Sequence, residues 1–126
     1  MAQNPISLPW LPSGRRLVPA ASIEFVAGHG IEFPEETRVV EMASLPSGIY
    51  ALYSESIRAF PGELWRWSRF LSDFEEIVLR VRNSVFDSDE ATVAVLAHEA
   101  FELNELWDIF QERNAIPAEE VFRLIC

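Results

Sequence analysis

Residues 75–112 read EEIVLRVRNSVFDSDEATVAVLAHEAFELNELWDIFQE, and the way this run divides decides the fold. Its first residues alternate: Ile77, Leu79 and Val81 share one side, Val78, Arg80 and Arg82 the other. A two-residue period in β-branched and aliphatic types predicts a strand over 75–83 with one buried face. The period then changes. Asp87-Ser88-Asp89-Glu90 has the form of a capping box, in which Asp87 accepts from first-turn amides and Glu90 reaches back. A helix from about Ser88 to about Glu112 follows, with Asp89 and Glu90 favourable at its positive end. At about 100° per residue, Val93, Leu96, Ala100, Leu103, Trp107 and Phe110 form one apolar stripe, which needs a sheet to cover.

The rest of the chain supplies candidates for that sheet. ASIEFVA at 21–27 alternates Ile23 and Phe25 with Ser22 and Glu24, predicting a strand that Gly28-His29-Gly30 breaks and Ile31-Glu32-Phe33 could resume. TRVVEM at 37–42 reads as a strand, Ser44 to Gly48 as a hairpin-like loop, and IYALY at 49–53 as the partner strand. After Pro61-Gly62, Leu64, Trp67 and Leu71 stand at helical spacing and predict a helix over Glu63–Asp73. Pro117 with Ala118-Glu119-Glu120 opens a last short helix to about Leu124. Residues 1–20, MAQNPISLPWLPSGRRLVPA, hold four Pro and predict an extended arm or linker, with Trp10 able to pin it to the body. The expectation for 21–126 is a single α+β domain: a small antiparallel sheet of about four strands on one long helix, with two shorter helices.

Composition sets further bounds. With 126 residues, 49% of them hydrophobic, the chain has material for one real core, and four Trp, nine Phe and two Tyr supply its large pieces. The net charge of −10 argues against general nucleic-acid or anionic-membrane binding, which needs clustered positive charge, and suits a basic partner better. All ten basic residues are Arg; Arg58, Arg66 and Arg69, with Arg80 and Arg82, are either a local basic patch or scattered ion-pair partners. The one cysteine, Cys126, allows no disulfide within the chain. No apolar run approaches a membrane span, and the start lacks the form of a signal peptide. The expected location is cytoplasmic, or outside the cell by a route that leaves no such signal.

The chemistry-bearing stretch is AHEAFELNE at 97–105. His98 and Glu102 are four residues apart and stack on one helix face. That pair is a candidate metal site for a divalent cation, with one imidazole and one carboxylate. The setting is similar to the zinc-peptidase His-Glu-x-x-His pattern, but Glu102 stands where the second His belongs, and His29 is the only other imidazole. Glu99 lies four residues from both Val95 and Leu103, at the margin of the apolar stripe. A carboxylate there must find a partner, bind a metal or hold a proton. His98, Glu99 and Glu102 are therefore candidate catalytic residues. The plainer alternative is a helix flank on which His98 bonds a neighbouring carboxylate and Glu102, Glu105 and Asp108 face water. Trp65-Arg66-Trp67 could stack on a ring or serve the core, and Gly28-His29-Gly30 could expose an imidazole or form a turn. Tyr50, Tyr53 and Ser54 have no base partner at readable spacing, and no phosphate-binding glycine loop or nucleophile elbow is present.

Over residues 75–112 the chain resembles toxin domains at the C-termini of bacterial polymorphic toxins of the Rhs type. In these a strand leads into a helix carrying Ala-His-Glu-x-x-Glu-hydrophobic, which Ala97, His98, Glu99, Glu102 and Leu103 match here. The resemblance implies a setting in conflict between bacteria more than a reaction. Beside a structural accessory domain with no site, two function classes follow. One is a toxin-like or effector-like domain with Glu99 as base, His98 as ligand or acid/base, and Glu102 orienting His98. The other is a non-enzymatic acidic binding protein, of immunity or adaptor type, docking a basic protein through Glu102, Glu105, Asp108 and Glu112.

Overall fold

The structure is a computed structural model that describes residues 18–53 and 62–125. Its elements run α1 (Ser22–Ala27), β1 (Thr37–Met42), β2 (Ala51–Leu52), β3 (Leu64–Trp65), β4 (Ile77–Arg82), α2 (Asp89–Arg113), β5 (Ile116–Pro117) and α3 (Ala118–Ile125), with 3-10 turns at Pro19–Ala21, Trp67–Phe70 and Asn83–Asp87. Among the described residues the fold is α+β, with one long helix, two short ones, a three-stranded sheet and a two-stranded one.

β4 is the central strand, and its alternation is the reason. Ile77, Leu79 and Val81 are all fully buried. Their intervening neighbours are half-buried. The strand order is β1-β4-β2. β1 runs parallel to β4 over all six residues, from Thr37 opposite Ile77 to Met42 opposite Arg82. β2 is antiparallel to β4. The sheet is thus mixed, where the sequence suggests an antiparallel one. β4 inserts between the two strands that read as a hairpin, so the 44–48 loop joins strands that do not pair, and only Ala51–Leu52 of 49–53 joins the ladder.

Two other segments depart from expectation. Residues 21–27 form helix rather than strand: Pro19 starts a 3-10 turn, the Ser22 hydroxyl donates to Pro19 O at 2.7 Å, and Ser22 and Val26 bury one side four residues apart. Ile31–Phe33 does not return as a strand but is held against α2, where Asn104 Nδ2 donates to Glu32 O at 2.7 Å. The helix expected over Glu63–Asp73 is a strand pair and a 3-10 turn. β3 is captured by β5, and Ala118 N donates to Glu63 O at 2.9 Å. Here tertiary contact overrides local spacing: Trp65 is buried and meets Phe70 and Phe122 edge-on at 5.9 and 5.4 Å.

α2 forms as its sequence predicts, with the cap one residue later. Asp87 closes the preceding 3-10 turn, so Ser88 is the cap and its hydroxyl accepts from Ala91 N at 3.2 Å. Thr92, fully buried, directs its hydroxyl at Val85 O and Ser88 O, both 2.8 Å away. Asn114 at φ 68° ends the helix, a conformation asparagine tolerates. Leu96, Ala100, Leu103, Leu106 and Phe110 are buried against the sheet and the aromatic cluster. Val93 is half-buried and Trp107 keeps more than a third of its surface exposed, so both lie at the edge of the expected stripe. Among the described residues no helix is long and apolar enough to cross a membrane. The 1–17 part of the expected arm, with Trp10, and Ser54 and Arg58 lie outside the described residues.

Candidate functional site

A pocket of about 400 Å³ lies between α2 and the segment 48–51. Ala94, Val95, His98 and Glu99 form the helix wall; Gly48, Ile49, Tyr50 and Ala51 form the other. That second wall is a loop held in place by one side chain. The Arg82 guanidinium donates to Leu45 O at 3.1 Å, to Pro46 O at 2.9 Å and to Ile49 O at 2.8 Å. Arg82 N also donates to Tyr50 O at 2.9 Å, and its guanidinium stands 5.6 Å from the Tyr50 ring centre. A planar fork with five donors suits three converging carbonyls in a way a lysine would not. Arg82 is therefore a structural clamp on the pocket wall rather than part of a basic patch.

Glu99 is the residue that stands out. It is 8% exposed, on the same buried side of α2 as Leu96, Leu103 and Leu106. Its carboxyl makes no hydrogen bond among the described residues; the basic side chain beside it is His98, with Nε2 3.9 Å from Oε2, a charged partner only when that ring is protonated. Burial pushes the Glu99 pKa up to about 7, and the nearby charge of Glu102 pushes the same way. The group is thus poised between its acid and its base form near neutral pH.

Glu102 is held differently. The Tyr53 hydroxyl donates to Glu102 Oε1 at 2.6 Å, a bond that spans from the end of β2 to α2. Tyr53 is itself buried and packs against Phe70 at 5.9 Å between ring centres. His98 sits over both carboxyls, its Nε2 also 3.9 Å from Glu102 Oε2, while its side chain is 71% exposed. The three sequence candidates do come together: an enclosed carboxyl, a tethered carboxylate and an imidazole open to water. The acidic face expected to include Glu102 is divided, since Glu102 turns toward Tyr53 while Glu105, Asp108 and Glu112 face solvent.

Two residues are not in the cluster. His29 is bound to its own helix, with Nδ1 3.1 Å from Phe25 O and its ring 5.0 Å from the Phe25 ring. It acts on Asp89, whose pKa it lowers against the stronger upward pull of burial. Asp89 lies nine residues before His98, about 13 Å along the helix. His29 therefore does not replace the second His of a zinc-peptidase pattern, and among the described residues no three His, Cys, Asp or Glu side chains come together as a metal set.

No family model, curated protein or solved structure matches this chain. The site must be read from its own chemistry. Tyr53 is the participant that sequence reasoning missed. Its partner is 49 residues away, and the β2–α2 approach that joins them is invisible in local spacing. The readable signal was indirect: Glu99 and Glu102 are three residues apart on one helix face, so a buried Glu99 implied that Glu102 also needed a partner.

Proposed function

We propose that this protein is a toxin-like or effector-like domain that moves protons at a substrate bound between the 48–51 segment and α2. Glu99 is the general acid and base. In its neutral form it donates a proton to a basic or leaving atom of the substrate; in its ionised form it takes one back. His98, at the mouth, exchanges protons between Glu99 and water. Glu102, fixed by Tyr53, keeps the local charge that favours a proton on Glu99 and receives His98 when that ring is protonated. A pocket of about 400 Å³ suits a small molecule or one group of a larger one. The observation that carries the reading is Glu99 itself, an enclosed carboxyl at the wall of a pocket with no hydrogen bond among the described residues. The match of Ala97, His98, Glu99, Glu102 and Leu103 to the polymorphic-toxin pattern supports the setting.

The test is induced expression in a bacterial cytoplasm. Wild type should arrest growth and Glu99→Gln, folded by circular dichroism, should not. A wild type without effect on growth, or a Glu99→Gln variant equally toxic, ends this reading.

A second reading, an acidic binding protein, draws on the opposite face of α2. Phe101 is 70% exposed and is followed by exposed Glu105, Asp108 and Glu112. Each lies within about 40° of Phe101 at 100° per residue, so an aromatic anchor stands in an acidic stripe suited to a basic protein. Binding to such a partner should weaken in salt and on Glu105→Arg with Asp108→Arg; indifference to both removes it.

A further inference from the structure

The other flank of α2 carries a second pocket, of about 550 Å³, that the Glu99 chemistry does not use. Its walls include Trp67 and Trp107, whose rings meet at 5.0 Å between centres and 71° between planes. The two indoles pack edge to face, so part of one ring is covered by the other, and a guest in the corner beside them meets what remains of their faces. Those faces are negative, and a cation within about 6 Å of a ring centre is attracted to them. Three glutamates, Glu35, Glu36 and Glu75, line the same pocket. Among the described residues no Arg or His lines it, and none of the three has an ion-pair partner.

The fold holds these carboxylates together. Glu36 and Glu75 stand just before β1 and β4, both in the left-handed region at φ 64° and 59°. Ile77 N donates to Glu36 O at 3.0 Å, which fixes the two turns side by side. The 33–36 wall is tied to α2 through the bond from Asn104 to Glu32 O. Among the described residues no basic side chain neutralises these three carboxylates. A cation in the aromatic corner would do so.

The kind of cation follows from the walls. A small metal ion keeps its water and needs several converging oxygen ligands, and among the described residues no three carboxylates come together as such a set. An organic cation with diffuse charge loses little hydration on entering and gains contact with both rings. We infer that this pocket binds a small quaternary ammonium ion, with Trp67 and Trp107 against the methyl groups and Glu35, Glu36 and Glu75 supplying charge.

Choline and its neutral isostere 3,3-dimethylbutan-1-ol, titrated into the full chain by calorimetry and by NMR of the indole N–H groups, test this directly. Choline should bind and shift the Trp67 and Trp107 signals, with the isostere weaker by about tenfold or more, the scale of a desolvated cation–π contact. Trp107→Leu keeps an apolar wall but no π face and should weaken choline by about tenfold. Glu36→Gln with Glu75→Gln should weaken it several-fold and flatten its salt dependence. Glu99→Gln should leave choline binding unchanged, which separates this site from the acid–base pocket. Absence of binding at about 20 mM choline, equal affinity for the isostere, or a folded Trp107→Leu that binds like wild type would each overturn the inference.

Discussion

The two flanks of α2 set the same side chain to opposite uses. His98 and Trp107 are nine residues apart, about half a turn around the helix axis at 100° per residue. On the His98 flank a glutamate is enclosed, has no hydrogen bond among the described residues, and holds a proton up to a pKa of about 7. On the Trp107 flank, Glu35, Glu36 and Glu75 are exposed at the rim of an aromatic corner. Environment, not residue type, divides them: removal from water raises the hold of the Glu99 carboxyl on its proton, while the three at the rim keep their contact with water. Glu99 gives the largest way to break this contrast. Its pKa is raised, so the native state binds the proton more tightly than the unfolded chain. Stability is therefore highest below the ordinary value of 4.5 and falls as pH rises to about 7, after which it levels. Glu99→Gln removes that loss and should raise stability at pH 8 by about 3 kcal/mol, with almost no gain near pH 4. Urea unfolding across that range measures it. Glu36→Gln should change stability by less than about 0.5 kcal/mol at either pH. Equal behaviour of the two variants would erase the difference between the flanks.

The next effect is at Tyr53. Its hydroxyl holds Glu102 at 2.6 Å, and its ring belongs to the core. Tyr53→Phe keeps the ring and removes the bond, which to a charged acceptor is worth about 2 kcal/mol. The denaturation midpoint should fall accordingly. Glu102, released, is free to approach Glu99 or to leave for water, so the pH at which Glu99 titrates should also move. A pH profile of stability that keeps its wild-type position in Tyr53→Phe would show that the tether does nothing for Glu99.

What the sequence allowed one to read follows from where the relevant forces act. β4 and α2 were legible because their periods of two and 3.6 are repeated and their buried residues coincide with those periods. Ile77, Leu79 and Val81 face inward as expected, and Leu96, Ala100, Leu103 and Phe110 do too. Glu99 could be singled out for the same reason, since its place on the stripe follows from helix geometry. Segments without a sustained period were misread. Ile23 and Phe25 alternate like a strand, but over so short a run the Pro19 turn and the Ser22 bond to Pro19 O decide for helix. Leu64, Trp67 and Leu71 keep helical spacing, yet Trp65 is buried by β5 and the aromatics around it. The second flank was missed as a site. Trp67 stands within Trp65-Arg66-Trp67, but its partner Trp107 lies 40 residues on, and Glu36 and Glu75 come to one pocket only because β1 and β4 run side by side. The Arg82 clamp has the same cause: three carbonyls from a loop more than 30 residues earlier give no local signal.

The smallest expected change in stability is the most telling for mechanism. His98 is 71% exposed on its side chain and lies 3.9 Å from each carboxyl, too far for a direct hydrogen bond. As a flank residue it contributes little, and His98→Ala should alter stability by less than about 0.5 kcal/mol. As the relay between Glu99 and water it is essential. The variant should then stay folded and lose growth arrest almost as fully as Glu99→Gln. His98→Gln, which keeps polar atoms but cannot pass a proton at this pH, should behave like alanine. If both His98 variants arrest growth like wild type, Glu99 exchanges its proton with water unaided, and the imidazole above it is an ordinary residue on the edge of a helix.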